Sequence, residues 1–470
     1  MKLSTKANLA LAAFLAVCLV PSAGMLLLPE WEAAANQALA PAPQVFRADG
    51  SFNTEVLDEV TDYVADHFAF RQEMITAGAA LDAAVFHVSS EEDVVLGRED
   101  WLFYRETLDD CLHTSPLSEQ QLFGAARTLA LLQEYARSLG AQLYVTVAPN
   151  KASLYPEYLP HVGTPLEGED DIDRLFPYLE GQGVSYIDLF APFRETDEVL
   201  YYHTDSHWNM RGAALAHDTL IAGLGKADQE PFFDGSYHLG EPHLGDLYEM
   251  VFPTGTKTEE DAAYDREFAF SYARPIRSAE DQFIQTENPD RSGNLLMFRD
   301  SFGNLLHPYL ADAYGQAAFS RAMPYTMSLL DQTGADTVLI EIVERNLDWW
   351  ATQAPIFPAP ERVLNGVPPQ GTAQARLTAV EDGLLEGYTR LEGRLTGNVD
   401  GDSPIYVQLG DQLYEASPVG EAGEGTPFTL YVPTEQAQAD TEILYQFEGQ
   451  IYTTGAASRQ LTANSERIWM

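Results

Sequence analysis

A serine, a histidine and an aspartate lie in this 470-residue chain in contexts that suit nucleophilic catalysis. Ser301 falls in a turn between the apolar run Leu295–Phe298 and a helical pattern that begins at Gly303. A serine in such a strand–turn–helix has its hydroxyl above the sheet edge, beside the unpaired N–H groups of the helix start, which favour negative charge. The alternative is that Asp300 and Ser301 merely cap the following helix.

The segment Tyr201–Gly212 carries the second element, with Asp205 two residues ahead of His207. In an extended segment residues i and i+2 point to the same side, so Asp205 can hold one ring nitrogen of His207 while the other acts as a base. Together with Ser301 they would form a catalytic triad. One alternative is that Asp205 caps a helix and His207 is an ordinary surface histidine. Another is that His203, Asp205 and His207 are a partial metal-ligand set, but no second cluster of similar clarity completes it, so we predict no metal and no cofactor.

Helical and strand patterns alternate around these motifs. A helix that starts at Ser118, with Gln121 at capping-box spacing, leads to the strand Leu143–Val147. A second helix near Asp171–Gly181 leads to the strand Val184–Asp188. Near-continuous apolar strands that alternate with helices predict an α/β fold, with a parallel sheet covered by helices on both faces.

The charge balance excludes two classes of partner. The chain has 27 basic and 71 acidic residues, a net charge of −44, and five of its basic residues are lysines. Such a surface repels nucleic acid and anionic lipid headgroups, so neither is a predicted partner. The length and the 45% of hydrophobic residues predict two or three globular domains. Two cysteines, Cys18 and Cys111, are too few for a disulfide framework.

The N-terminal segment predicts the compartment. Lys2 and Lys6 precede the largely apolar stretch Ala7–Leu28, which is long enough to span a bilayer. Residues 1–30 are therefore predicted to be a signal peptide or a membrane anchor, with an uncleaved anchor favoured. Either alternative places the rest of the chain outside the cytoplasm, at the cell membrane or secreted.

The remaining chain is predicted to divide into four parts. A helical region spans 31–95, a catalytic domain spans 96–354, a proline-rich linker spans 355–375, and a small β-sandwich accessory domain spans 376–460. Residues 235–290 are predicted to be loops around the mouth of the active site. The tyrosines of the accessory domain suit either polysaccharide binding or simple packing, and packing is favoured.

The motifs together resemble a known family. His203–Asn209 precedes Arg299–Phe302, and Val147–Lys151 and Leu96–Tyr104 accompany them. In this order they are similar to the SGNH-hydrolase-like family typified by the alginate O-acetylation proteins AlgX and AlgJ, over about residues 45–350. In that family the Asp-x-His element precedes the serine, the reverse of ordinary GDSL esterases, and this chain has the same order.

The resemblance implies roles for individual residues. It makes Ser301 the nucleophile, His207 the base and Asp205 the carboxylate that orients the base. His243–Tyr248 resembles a further recurring segment of the family. Arg299 departs from the pattern, because the family usually has glycine there. This larger residue affects how tightly the turn can close. The candidate oxyanion or substrate contacts are Arg345, Asn346, Lys151 and Trp208.

Two strand ends supply three of these candidates. Arg345 and Asn346 follow an apolar strand that begins at Thr337, where GDSL-type enzymes carry an oxyanion element that contains asparagine. The alternative for Arg345 is a buried ion pair with an acidic neighbour. Lys151 follows another strand at its carboxyl end, the place where open α/β sheets bind ligands, and it would contact substrate or pair with a surface carboxylate.

We therefore predict an extracytoplasmic serine O-acetyltransferase or acetylesterase that acts on cell-surface or secreted polysaccharide. A membrane-bound acyltransferase that supplies the acetyl groups is a predicted partner. Two alternatives stay open. One is a non-catalytic glycan-binding or scaffold protein of a cell-envelope assembly, and the other is a metal-dependent hydrolase that uses His203, Asp205 and His207.

Overall fold

A computed structural model of the chain describes residues 39–47, 50–160, 168–227, 229–421 and 423–462, with short stretches between 7 and 24. The predicted signal peptide or anchor at residues 1–30 lies largely outside the described residues and stays a prediction. In the part of the chain that is described, no helix has both the length and the apolar character needed to cross a bilayer.

Helices and strands alternate through the first three quarters of the described chain. The helices are α1 (Val56–His67), α2 (Arg71–Phe86), α3 (Thr107–Leu112), α4 (Glu119–Ser138), α5 (Lys151–Leu154), α6 (Asp171–Gly181), α7 (Phe190–Glu195), α8 (Met210–Gly223), α9 (Asp246–Val251), α10 (Gly303–Ala313), α11 (Ser328–Thr333) and α12 (Asp348–Thr352). Short 3-10 turns lie at Pro156–Tyr158, Glu344–Asn346 and Gln436–Gln438.

Beyond the last α-helix, strands follow one another along the chain. They are β1 (Val94–Leu96), β2 (Leu102–Tyr104), β3 (Gln142–Ala148), β4 (Tyr186–Ile187), β5 (Tyr237–Leu239), β6 (Ala262–Tyr264), β7 (Ser271–Tyr272), β8 (Phe283–Glu287), β9 (Asn294–Phe298), β10 (Gln316–Ser320), β11 (Thr337–Val343), β12 (Glu361–Arg362), β13 (Gln374–Val380), β14 (Tyr388–Thr396), β15 (Ile405–Leu409), β16 (Gln412–Ala416), β17 (Thr426–Pro433), β18 (Thr441–Phe447), β19 (Gln450–Ala456) and β20 (Ser458–Thr462).

The chain divides into two compact units. The first comprises residues up to 105 together with 203–206 and 242–259, and the second comprises 106–202, 207–241 and 260–470. In the first unit, β1 and β2 form an antiparallel hairpin. Its small core joins Ala79 of α2 to both strands and to Leu247 and Val251 of α9.

The second unit is built on a seven-stranded sheet in the order β4-β3-β11-β9-β10-β8-β7. The first five strands are parallel, which confirms the predicted α/β fold. β11 is buried along almost its whole length because it lies in the interior of the sheet, between β3 and β9. The capping box of Ser118 and Gln121 starts α4 as predicted, with bonds in both directions.

The prediction that residues 235–290 are loops is wrong for the four strands and the helix that lie in that segment, β5, β6, β7, β8 and α9. β8 pairs antiparallel with β10, and β7 pairs with β8, so both extend the main sheet. Only Ile284 and Thr286 of β8 are buried, and its other residues are polar or exposed. So short an alternation of buried and exposed residues gives a weak strand signal in an acidic stretch.

The C-terminal region is rich in β structure, as predicted. A sheet of order β12-β16-β15-β18-β19 and a sheet of order β17-β14-β13-β20 share one hydrophobic core. Strands in both sheets alternate buried and half-buried residues, the pattern of two packed sheets. Tyr414, Tyr431 and Tyr445 are buried, which favours packing over glycan binding for these tyrosines.

The predicted linker 355–375 differs from the structure in its first part. Ile356 and Phe357 are buried, the carbonyl of Ile356 accepts a hydrogen bond from Met327 N, and residues 361–362 form β12. Its prolines therefore flank packed side chains in this part instead of marking a solvated spacer. The stretch that follows fits the prediction better, because the side chains of Val363 and Val367 are almost fully exposed.

Candidate active site

Ser301 lies directly beyond the carboxyl end of β9, which runs between β11 and β10 in the main sheet. α10 begins two residues later at Gly303. The hydroxyl oxygen of Ser301 is 2.8 Å from Nε2 of His207, within hydrogen-bond distance. The expected approach of these two side chains is therefore confirmed, and a serine and a base meet at the edge of the sheet where such folds bind ligands.

Asp300 fixes the turn that carries Ser301. Its Oδ1 accepts a hydrogen bond from Phe302 N at 2.9 Å. Its Oδ2 accepts bonds from Val343 N at 2.7 Å and from the side-chain amide of Asn346 at 3.2 Å. The carboxylate thus ties the turn to the end of β11, and its bond to Phe302 N lies one residue before α10 begins.

Arg299 replaces the glycine of the family pattern without opening the turn. Its guanidinium is buried and donates to Asn304 Oδ1 at 2.6 Å and to the carbonyl of Ala279 at 2.5 Å. Gly303 makes room for it, since a Cβ at that position would lie 2.6 Å from Arg299 Cδ. Burial, followed by the charge of Arg321, lowers the pKa of Arg299 to about 10, so the group stays cationic at neutral pH.

A second carboxyl group lies beneath the turn. Glu341 of β11 is 1% exposed, and its Oε2 accepts a bond from Asp300 N at 3.3 Å. Burial and the neighbouring charge of Asp300 raise the pKa of Glu341 well above its usual range. Burial therefore favours the neutral form of Glu341 more than it would for an exposed glutamate.

His207 is held by the residues that follow it. Trp208 makes an antiparallel bridge with Tyr201, and the Asn209 side chain accepts from Gly212 N at 3.0 Å and caps the start of α8. Trp208 is 0% exposed and packs edge-on against Phe302, with ring centroids 5.0 Å apart. The prediction of a substrate contact at Trp208 is corrected by this burial, because a sugar cannot reach its ring.

Arg345 and Asn346 both lie against the nucleophile turn. Asn346 donates its amide to Asp300, and the guanidinium carbon of Arg345 is 5.5 Å from the centroid of the Phe302 ring. Both are half-buried. Of the two, Asn346 supports the turn with its amide, whereas Arg345 brings a positive charge beside the residue that follows Ser301.

Asn150 is a supporting residue that sequence reasoning did not single out. It is fully buried, its Oδ1 accepts from Arg345 N at 3.3 Å, and its Nδ2 donates to Asp110 Oδ2 at 3.1 Å. Its place in the Ala-Pro-Asn-Lys run at the carboxyl end of β3 was the available signal. The adjacent Lys151 is 3% exposed and donates to the carbonyl of Tyr202 at 3.2 Å, which braces the chain just ahead of the Asp-x-His element.

Buried carboxyl groups lie around Asn150. Glu344 Oε2 accepts from Asn150 N and from Ser153 Oγ, each at 2.7 Å. Burial, followed by the charge of Asp110, raises the pKa of Glu344 to about 8. Burial, with the charges of Asp171 and Asp170, raises the pKa of Asp110 to about 7. Neutral carboxyl groups are thus expected in this region near pH 7.

Asp205 belongs to the first unit, two positions ahead of His207 in the chain. It is buried, and its Oδ2 lies 2.8 Å from His243 Nε2 and accepts a bond from Asp246 N at 3.1 Å. The ring of His203 stacks on Trp101 with centroids 4.4 Å apart. The sequence motifs include the segment that contains His243, but they predict no role for this histidine.

Comparison with known proteins finds a family model that is similar to part of the chain. Residues 94–289 match the family model described as "SGNH hydrolase-like domain, acetyltransferase AlgX". This stretch, which is less than half of the chain, is similar to the domain that the model describes. The resemblance that the motifs predicted is confirmed over this range, which includes Asp205 and His207. The match ends before Ser301, so the assignment of the serine rests on the geometry above.

The similar proteins include two curated relatives and a solved structure. The "Probable alginate O-acetylase AlgJ" of Pseudomonas fluorescens is 27% identical over 178 residues, which are 36% of this chain and 43% of that protein. The AlgJ protein of Pseudomonas aeruginosa is 31% identical over 151 residues, 31% of this chain and 36% of that protein. The chain thus spans less than half the length of these relatives. The structure of Bacillus cereus PatB1 with a sulfonyl adduct is 16% identical, covers 55% of this chain and 98% of that one, and has a TM-score of 0.43.

Proposed function

We propose that this protein is an extracytoplasmic serine O-acetyltransferase or acetylesterase that acts on cell-surface or secreted polysaccharide. The observation that carries the proposal is the 2.8 Å distance between Ser301 Oγ and His207 Nε2, at the carboxyl end of a central parallel strand. A serine within hydrogen-bond distance of a histidine is the arrangement that activates a hydroxyl as a nucleophile.

The reaction takes two similar steps. Ser301 Oγ attacks the acetyl carbonyl carbon while His207 Nε2 takes the serine proton, and the tetrahedral intermediate then expels the donor alcohol, which receives that proton from His207. A hydroxyl of the acceptor sugar, or water, next attacks the acetyl-serine while His207 removes its proton. Ser301 Oγ is then released and takes this proton from His207. The acetyl group has moved to the acceptor or become acetate.

Two further groups complete the proposed site. Asp205 orients the ring of His207 and stabilises the imidazolium that forms in each step, as its position in the Asp-x-His element implies. Arg345 faces the negative charge of the tetrahedral intermediate, which its position beside Phe302 supports. Asn346 is assigned to the support of the turn, because its amide is bonded to Asp300.

The substrate class and the partner rest on similarity and on the N-terminus. The matching family model is described as an acetyltransferase, and the curated relatives are named alginate O-acetylases, which supports transfer of acetyl groups to a polysaccharide. The apolar segment near the N-terminus supports an extracytoplasmic location. We assign the supply of acetyl groups to a membrane-bound acyltransferase.

A chromogenic acetyl ester tests the proposal on the purified chain. Ser301→Ala should abolish release of acetate with the fold intact, because the substitution removes only the hydroxyl of a turn residue, and a chelator should leave the wild-type rate unchanged. A metal-dependent hydrolase would instead tolerate Ser301→Ala, lose activity with the chelator and regain it with added zinc. A glycan-binding or scaffold protein would show no serine-dependent release in the wild type.

A further inference from the structure

We infer that His243 is a positioning residue for Asp205 and, through it, for the base His207. The inference rests on the proposed function, because it assigns a role within the proposed triad. It adds a second histidine to the site, one that acts through Asp205 and not on the acetyl group in the proposed reaction. Residues 243–259, which surround Asp205 within the first unit, are called the Asp205 clamp below.

The clamp bonds directly to the Asp205 carboxylate. Oδ2 of Asp205 lies 2.8 Å from His243 Nε2 and accepts a hydrogen bond from Asp246 N at 3.1 Å. Because Asp205 is buried and a carboxylate only accepts, Nε2 of His243 must carry the proton in this contact. Asp205 therefore receives a side-chain donor and a main-chain donor from the clamp on one oxygen.

The clamp also fixes the main chain on both sides of Asp205. Ser206 donates its N–H and its hydroxyl to the carboxylate of Asp246, at 2.7 and 2.6 Å. On the other side, Tyr248 N donates to the carbonyl of Thr204 at 3.0 Å. Gly245 lets the two segments approach this closely, since a Cβ there would lie 2.3 Å from the Thr204 carbonyl oxygen.

Glu259 closes the clamp from its far end. Its carboxylate accepts from His203 N and Thr204 N, each at 2.7 Å, and from the Thr204 hydroxyl. Three successive residues, His203 to Asp205, thus bond to clamp side chains. So complete a set of bonds leaves the Asp205 carboxylate little rotational freedom, which is what an orienting carboxylate requires.

His243 is the member of the clamp whose side chain bonds to the Asp205 carboxylate. Asp246 and Glu259 order the main chain with their side chains, so their loss would change the backbone path. The His243 side chain is partly exposed, and its Nε2 contacts Asp205 Oδ2. Removing the imidazole takes a donor from a buried anion and leaves the main-chain bonds of the clamp in place.

The test compares His243→Ala, His243→Gln and His238→Ala on the full chain. Glutamine keeps an amide N–H at similar reach. His238 is an exposed histidine paired with Asp265 at 2.9 Å, outside the clamp, and serves as the matched control. Acetate release from the chromogenic ester is measured as kcat/KM against pH, with circular dichroism and thermal unfolding to check each fold.

His243→Ala should lower kcat/KM by about 10- to 100-fold, the loss expected when a hydrogen bond to a charged group is removed. The acid limb of its pH profile should move to lower pH, because a histidine whose neighbouring carboxylate is displaced binds a proton less tightly. His243→Gln should restore most of the rate and the wild-type limb, and His238→Ala should match the wild type. A purely structural defect would reduce the amount of active enzyme without moving the limb.

Two results would overturn the inference. One is a wild-type rate and acid limb in His243→Ala. The other is a folded His243→Gln that is impaired by more than tenfold, which also decides the matter if the alanine variant does not fold. Ser301→Ala in the same assay separates the claims. Activity retained there removes the proposed function itself, whereas an inactive Ser301→Ala with an unaffected His243→Ala removes only the role of His243.

Discussion

The turn that carries Ser301 and the segment that carries Asp205 are held in different ways. Regular structure holds the serine, since β9 leads into the turn, α10 leaves it, and Asp300 bonds it to the end of β11. Side chains from a loop-rich stretch hold Asp205, through His243, Asp246 and Glu259. The sheet therefore positions the proposed nucleophile, and a network whose members lie about 40 to 55 residues away along the chain positions the Asp205 segment.

The largest expected effect comes from Asp205, in the segment that loop side chains hold. Asp205→Ala should lower kcat for acetyl ester cleavage by about 10⁴-fold, because His207 loses control of its tautomer and the stabilisation of its imidazolium. Steady-state kinetics on the purified variant measure it. Asp265→Ala, which removes an exposed carboxylate paired with His238, is the control. A loss of less than tenfold in Asp205→Ala would remove Asp205 from the triad.

The next test concerns Arg345 and Asn346, which follow β11 beside the turn that carries Ser301. Arg345→Ala should lower kcat by about 10²- to 10³-fold, the usual cost of removing an oxyanion donor, with a smaller change in KM. Asn346→Ala should have a smaller effect on kcat, because its amide supports Asp300 and has no contact with the substrate in the proposed reaction. The reverse ranking in the same assay would give the oxyanion role to Asn346.

Asp300 tests how far the sheet supports the nucleophile. Asp300→Ala removes an acceptor from Phe302 N, Val343 N and the Asn346 amide, so it should lower the free energy of unfolding by about 2–5 kcal/mol. Urea unfolding measures the change. Asp336→Ala is a matched control at the opposite end of β9, where the carboxylate accepts from Asn294 N at an exposed position, and it should cost less. Equal losses would mean that the turn needs no special support.

The final expected effect is a dependence of stability on pH. The pKa of Glu344 is raised by burial to about 8 from an ordinary value of 4.5, so the folded state keeps a proton that the unfolded state loses. The free energy of unfolding should therefore fall as the pH rises from about 5 to about 8. Glu344→Gln keeps an acceptor for Asn150 N and Ser153 Oγ and should flatten this decline in urea titrations at pH 5, 6.5 and 8. An unchanged slope would contradict the assignment.

The same comparison explains what the sequence could predict. The strand and helix around Ser301 have local signals, an apolar run and a helical pattern, so the turn and its approach to His207 followed from the sequence. The contacts of the Asp205 segment have no such signal, because a histidine that bonds to Asp205 and a glutamate that bonds to Thr204 come from a distant acidic stretch and meet the segment only after folding. Trp208 illustrates a third case, since its residue type suits sugar binding and only the packing against Phe302 reveals its burial.

The most direct measurement of the central claim is the site of covalent labelling by a fluorophosphonate probe. Peptide mass spectrometry of the labelled wild type should find the probe on Ser301, because this hydroxyl is activated by His207 at 2.8 Å. His207→Ala should label much more slowly, and Ser301→Ala should not label. A probe found on a different serine, or equal labelling of Ser301→Ala and the wild type, would contradict the role of Ser301 as the nucleophile.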